Sequence, residues 1–318
     1  GGYVRGGSVS ITVSGWNCNV SIVNSSGKSV ASGSKGSVSA SGLSDGSYTV
    51  NMSFMGAGWN PNPRSYANYS MTADFSFVID RSAPTISGAS TSSTGKYTNS
   101  STYVSASDSV SGVNALYVKN PNNSYYSSAG TSTTIASTGT NGLYCFYAKD
   151  KAGNTSATYY LYLDTVKPTG TIKNSNGTEI TGSYTNQTFS YSATDSGSGI
   201  SYLQYKKPGS SSWLTYTSGT SISASAASGT YQFRAVDKAG NISATKSITL
   251  DSSKPTMTLY SGDVSVSNGF KSIANYIKAT ATDSGSGVKT IYVKKPGASR
   301  YTEYASGTQL TADGAYSF

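Results

Sequence analysis

Short runs in which apolar and polar residues alternate recur along the chain: "FSFVID" ending at Asp80, "YLYLD" ending at Asp164 and "SITLD" ending at Asp251. Alternation with period two puts every second side chain on one face, so each run predicts a half-buried β-strand. Between the runs lie clusters of Gly, Asn, Asp and Ser, which supply positive φ angles and local side-chain bonds for tight turns. Helix formers are scarce and strand formers abundant, so the pattern predicts an all-β protein.

The strands come in a repeating order. Junctions read "DRSAPT" (80–85), "DTVKPT" (164–169) and "DSSKPT" (251–256), each directly after an alternating run. A proline there lacks the N–H for further ladder pairing and stiffens the entry to the next strand, which marks a domain boundary. Next come "SDSVSGV" (107–113), "TDSGSGI" (194–200) and "TDSGSGV" (282–288), leading into "LYVKNP", "LQYKKP" and "IYVKKP". A Gly-x-Tyr then opens a strand at Gly46, Gly142, Gly229 and Gly314, and "KDKAGNTS" (149–156) and "VDKAGNIS" (236–243) follow the second and third of these. The predicted domains are 1–79, 80–164, 165–251 and 252–318.

About seven short strands in roughly 85 residues are what a Greek-key β-sandwich of the immunoglobulin or fibronectin-III kind requires. Tyr48, Tyr144, Tyr231 and Tyr316 then sit where such sandwiches bond a tyrosine back to the preceding corner. Tyr144, Phe146 and Ala148, with Tyr231, Phe233 and Ala235, are expected to point inward, leaving Cys145 on the outer face. "DKAGN" is expected to be the hairpin turn after that strand, with Asp bonding its own backbone two residues on and Gly and Asn taking positive φ. The D-x-x-x-P-T junctions, "ATDSGSGI" and "AVDKAGNIS" resemble the bacterial immunoglobulin-like domains found in tandem in surface adhesins and other very large extracellular proteins. The resemblance spans 80–318 closely and 1–79 less so. It implies fold, tandem arrangement and an extracellular or cell-surface location, and it implies no particular ligand.

Two irregularities stand out. Residues 1–79 replace "DKAGN" by a long loop, "FMGAGWNPNPRSYANY" (54–69), and their first strand is expected to be missing. The last repeat stops two residues beyond Tyr316, within the strand that Gly314 opens. A half-built sandwich exposes core and strand edges, so the expectation is a window on a longer array, or end domains completed by strands of another chain as in a filament.

Composition narrows the function classes. Charged residues are 12% of the chain and net charge is +9, with the 23 basic residues scattered rather than gathered into a nucleic-acid-binding arm. A weak preference for anionic partners such as wall polymers or acidic glycans is all that follows. The two cysteines, Cys18 and Cys145, fall in different predicted domains at non-equivalent positions, so no disulfide joins them; scarcity of Cys suits a prokaryotic secreted protein. No run of 18 apolar residues suggests a membrane span.

Candidate chemistry is sparse. The chain has no histidine, hence no imidazole base or His metal ligand, and no P-loop, cysteine cluster or nucleophile elbow. No enzyme is expected. Eight of the aspartates occupy repeated landmarks: Asp80, Asp164 and Asp251 at junctions, Asp108, Asp195 and Asp283 in the Asp-Ser-x-Ser-Gly turns, and Asp150 and Asp237 in "DKAGN". In an immunoglobulin-type sandwich those two turns share the pole where the chain enters, which would gather Asp80, Asp108 and Asp150, and likewise Asp164, Asp195 and Asp237. Such groups offer oxygen ligands for Ca2+, which would stiffen the junction; the competing reading is that each Asp caps its own turn. No other cofactor is called for. In the long loop of 1–79, Trp59, Arg64, Tyr66 and Tyr69 could stack on sugars or dock a partner. The expected function is a non-catalytic stalk, surface-layer or fibre segment whose partners are neighbouring domains of the same or an identical chain. A glycan-binding module and a self-assembling filament subunit stand as alternatives.

Overall fold

The computed structural model describes residues 2–13, 18–60, 65–272 and 274–318, without side chains for 54–60 and 65–71. Every described element is a strand. The chain divides into two compact units, Gly1–Val166 with Lys238–Gly240, and Lys167–Asp237 with Asn241–Phe318. Each unit contains two hydrophobic cores, each enclosed by two sheets.

The second core shows the plan most fully. One sheet holds Thr85–Ser87, Thr102–Ser107 and Ser132–Ile135. The other runs Ser127–Ser128, Val113–Lys119, Gly142–Asp150, Tyr159–Leu163 and Lys96–Thr98, the last pair parallel and the rest antiparallel. This is an immunoglobulin-like, fibronectin-III-like sandwich. Val104, Leu116, Phe146, Ala148, Leu161 and Leu163 are fully buried between the sheets. In the third sandwich Tyr191, Phe233, Ala235, Ile248 and Leu250 do the same work, and Tyr191 stacks on Phe233 with centroids 5.0 Å apart. The alternation read from sequence therefore places its inward set as expected, and full burial of one Phe or Leu stabilises by roughly 1.5–3 kcal/mol.

All four corner tyrosines make the expected bond. Tyr48, Tyr144, Tyr231 and Tyr316 donate to the carbonyls of Ser44, Thr140, Ala227 and Ala312 at 2.9, 3.0, 3.0 and 2.9 Å. The glycine two residues earlier has its own cause. Gly142, Gly229 and Gly314 have φ of +133°, +128° and +130°, and a Cβ there would come within 2.9, 2.7 and 2.5 Å of Pro121, Pro208 and Pro296. Those prolines end the "VKNP" and "KKP" strands, so two landmarks far apart in sequence are one contact. Residues 1–79 have no such proline, and a Cβ on Gly46 would meet nothing.

The first sandwich departs from expectation twice. Within 54–69, residues 54–60 and 65–69 are strand rather than loop: Gly46–Asn60 and Ser65–Ile79 are long antiparallel partners, in register from Gly46↔Ile79 to Asn60↔Ser65. Pro61 and Pro63 fall between the two in sequence and lie outside the described residues. Nor is the first strand missing altogether. Gly2–Val4 lies parallel to Phe77–Ile79, the place that Lys96–Thr98 takes beside Leu161–Leu163.

In the fourth sandwich Thr256–Ser261 pairs with Ile277–Thr282, and Ile291–Val293 with Thr302–Tyr304, around Ala279, Ile291, Val293 and Tyr304. Cys18 and Cys145 are both free and buried. No helix among the described residues is long and apolar enough to cross a membrane.

Candidate functional site at the sandwich junction

The turn "DKAGN" closes on itself through its first and last residues. Asp150 Oδ1 accepts the Asn154 backbone N–H at 2.7 Å, and Asp150 Oδ2 accepts Asn154 Nδ2 at 2.7 Å. Asp237 and Asn241 repeat both bonds at 2.8 and 2.7 Å. The aspartate thus reaches four residues on rather than two. Only Gly153 and Gly240 take positive φ, at +91° and +94°; the asparagine contributes its side chain instead.

Asn154 also faces outward from its own sandwich. Its Nδ2 donates to the Asp80 carbonyl at 2.9 Å, and its Oδ1 accepts Arg5 Nε at 3.2 Å. Asp80 is fully buried, and its carboxylate spans the junction: Oδ1 accepts Ser82 N–H at 2.9 Å and Oδ2 accepts Ser111 N–H at 3.0 Å. The next residue, Arg81, reaches back to Asp45 at 2.8 Å, and Ser82 Oγ donates to the same carboxylate at 3.1 Å. The linker is therefore held to the corner of the first sandwich and to two turns of the second. Arg81 holds the half-buried Asp45 carboxyl below its usual range.

The plan recurs within the second unit. Asp251 Oδ1 accepts Ser253 N–H at 3.0 Å and Oδ2 accepts Ser286 N–H at 2.6 Å, with a short further bond from Ser253 Oγ. The Ser253 hydroxyl first, and then Ser286, hold the Asp251 carboxyl well below the ordinary carboxylate range. Ser228 and Ser252 hydroxyls meet at 3.2 Å, the place of the Asp45–Arg81 pair. In the first unit Asn141 Oδ1 accepts Thr165 N–H at 3.1 Å in the same place, and Asp164 Oδ1 accepts Val166 N–H at 3.0 Å.

The turn aspartates do cap their own turns. Asp108 Oδ1 accepts Val110 and Gly112 N–H at 3.1 and 2.8 Å, Asp195 accepts Gly197 and Gly199 at 3.0 and 2.8 Å, and Asp283 accepts Gly285 and Gly287 at 3.1 and 2.9 Å.

Folding also gathers Asp80, Asp108 and Asp150, each with a carboxylate oxygen within 4.8 Å of the other two. At that separation two unit charges repel by about 3 kcal/mol for an effective dielectric of 20. Among the described residues no lysine or arginine pairs with them. Six N–H donors converge instead, from Ser82, Val110, Ser111, Gly112 and twice from Asn154. Three carboxylates have the donor chemistry for a hard divalent cation, and the same oxygens serve as acceptors that fasten linker and turns together.

The first-domain candidates do not form a described cluster. Trp59 and Tyr66 are direct partners in the two long strands and Tyr69 pairs with Gly56, while their side chains and Arg64 lie outside the described residues. Sequence reasoning missed Asn154, Ser111 and Arg5. The fixed four-residue spacing of Asp and Asn in both "DKAGN" copies was the available signal.

No family model and no curated protein matches the chain. Among solved structures, the fibronectin(III)-like modules of CbhA from Clostridium thermocellum share 18% identity, with 48% of this chain and 85% of that one covered and a TM-score of 0.25. The amphioxus IgVJ-C2 molecule shares 14%, covering 51% and 98%, with a TM-score of 0.28. The BSP domain of a biofilm associated protein shares 19% over 51% of this chain and 28% of that one, at 0.17. These are weak likenesses.

Proposed function

We propose that the chain is a non-catalytic spacer, a tandem immunoglobulin-like segment of a secreted or cell-surface protein that holds other parts of an assembly at a set distance. The observation that carries this reading is the Asp80 carboxylate, buried, with one oxygen on the linker at Ser82 and the other on Ser111 of the following sandwich. A flexible Gly/Ser tether would leave its backbone to water. This linker instead commits its backbone and side chains to both neighbours, and Asp251 repeats the arrangement at Ser253 and Ser286. Scarcity of cysteine in a chain rich in Ser, Thr and Tyr suits a secreted location.

The test is the distribution of distances between spin labels at exposed Ser26 and Asn123, introduced as cysteines in the full chain with Cys18 and Cys145 replaced by alanine. A rigid junction gives one narrow distance, and Asp80→Ala broadens it at least twofold. A broad distribution in the parent, or no broadening in the variant, overturns the spacer reading.

A further inference from the structure

The outer face of the second sandwich's five-stranded sheet is lined with tyrosines. Tyr117 and Tyr147 are cross-strand partners whose rings stack at 4.7 Å and 9°, and Tyr126 meets Tyr147 edge-on at 4.9 Å. Cys145 pairs with Tyr160 on the next strand, and Tyr162 packs against Tyr97 at 5.5 Å. Cys145 points outward as expected from its parity, yet it is only 6% exposed because these rings cover it. Burial raises the Tyr126 phenol, with Cys145, Tyr160 and Tyr147 as its neighbours.

The fold does not require this. Aligned on "DKAGN" and the preceding strand, the third sandwich keeps the inward residues (Leu203, Tyr231, Phe233, Ala235) but places Gln204, Arg234, Gln232, Ser247 and Thr249 where the second has Tyr117, Tyr147, Cys145, Tyr160 and Tyr162. Both sandwiches have a packed core, so the tyrosines answer a demand other than folding. Rigid, mutually stacked tyrosines offer contact area at low entropy cost, and each carries a hydroxyl at its rim.

Charge selects the occupant. Lys119, 5.7 Å from the Tyr126 ring centre, and Lys149 stand on this face. The carboxylates of 80–164 are Asp80, Asp108, Asp150 and Asp164; three are fully buried and Asp108 is tied into its own turn. A face that is aromatic and cationic, on a chain of net charge +9, repels a second copy of itself and attracts a polyanion. We propose that the tyrosine face of the second sandwich binds a carboxylate-bearing polysaccharide, its sugar rings lying against the tyrosines and its carboxylates meeting Lys119 and Lys149. This goes beyond the spacer reading, and neither depends on the other.

The experiment is affinity electrophoresis of the full chain in native gels containing polygalacturonate or a neutral glucan, hydroxyethyl cellulose. Variant Tyr160→Ser with Tyr162→Thr carries the residues that the third sandwich tolerates at these places and keeps the charge; Lys119→Gln keeps the aromatics. Unchanged circular dichroism verifies folding. Expected is retardation by polygalacturonate that weakens at least tenfold in the tyrosine variant and severalfold in Lys119→Gln, with little retardation by the neutral glucan. Equal retardation of parent and tyrosine variant means diffuse charge attraction and overturns the proposal. So does equal binding to the neutral glucan, or no retardation at all. Concentration-dependent dimers in sedimentation that the tyrosine variant abolishes, without polysaccharide binding, would assign the face to a second copy instead.

Discussion

Replacing Asn154 by alanine tests the junction at its most connected side chain. Three bonds disappear: Nδ2 to Asp150 Oδ2 at 2.7 Å, Nδ2 to the Asp80 carbonyl at 2.9 Å, and Arg5 Nε to Oδ1 at 3.2 Å. The first involves a carboxylate on a residue only 1% exposed, so water does not readily replace the lost donor. A hydrogen bond to a charged group contributes about 1.5–3 kcal/mol and a neutral one about 1. The Asp150 and Asp80 bonds together should therefore cost the second sandwich about 2–4 kcal/mol, the bond to the exposed Arg5 adding little. A chain of several domains does not unfold in one step, so the measurement is hydrogen exchange of separate peptides in the intact chain. Protection over 142–163 should fall by about 30- to 1000-fold, at 1.36 kcal/mol per decade, while 229–250 stays unchanged. Asn154→Asp should be worse still, because it cannot donate and adds a fourth carboxylate beside Asp80, Asp108 and Asp150. A loss below about 0.5 kcal/mol in both variants would refute the assignment of Asn154 as the fastener.

Gly142→Ala should destabilise the second sandwich by about 2 kcal/mol or more, since it combines strained φ with overlap on Pro121; Gly46→Ala, which meets nothing, should cost clearly less, and equal losses in the exchange assay would exclude the proline contact as the cause. Asp251 titrates below its unfolded value, so its contribution is present above about pH 4 and fades as pH falls toward its folded pKa. Asp251→Asn should accordingly flatten the acid limb of stability for the fourth sandwich, and an unchanged limb would mean that the Ser253 and Ser286 bonds do not set it. Hydrogen exchange over 142–163 with millimolar calcium and with chelator decides between the two uses of Asp80, Asp108 and Asp150: a rise in protection that Asp108→Asn removes makes them a cation site, and no change leaves them as hydrogen-bond acceptors alone.

Strand positions, inward faces and corner tyrosines were legible in the sequence because they depend on short-range facts. A strand alternates with period two whatever its partner, and an Asp-Ser-x-Ser-Gly turn closes through its own N–H groups. The gathering of Asp80, Asp108 and Asp150 could be anticipated only by assuming a sandwich topology. The long strands Gly46–Asn60 and Ser65–Ile79 were not legible because the "DKAGN" landmark is absent there, and their extension is set by register with each other. Asn154 as the fastener, the glycine–proline contact and the tyrosine face were decided by tertiary structure alone. Each needs residues from separate strands or turns brought within a few ångströms, and that distance is set by strand register and sheet order, to which no local pattern is sensitive.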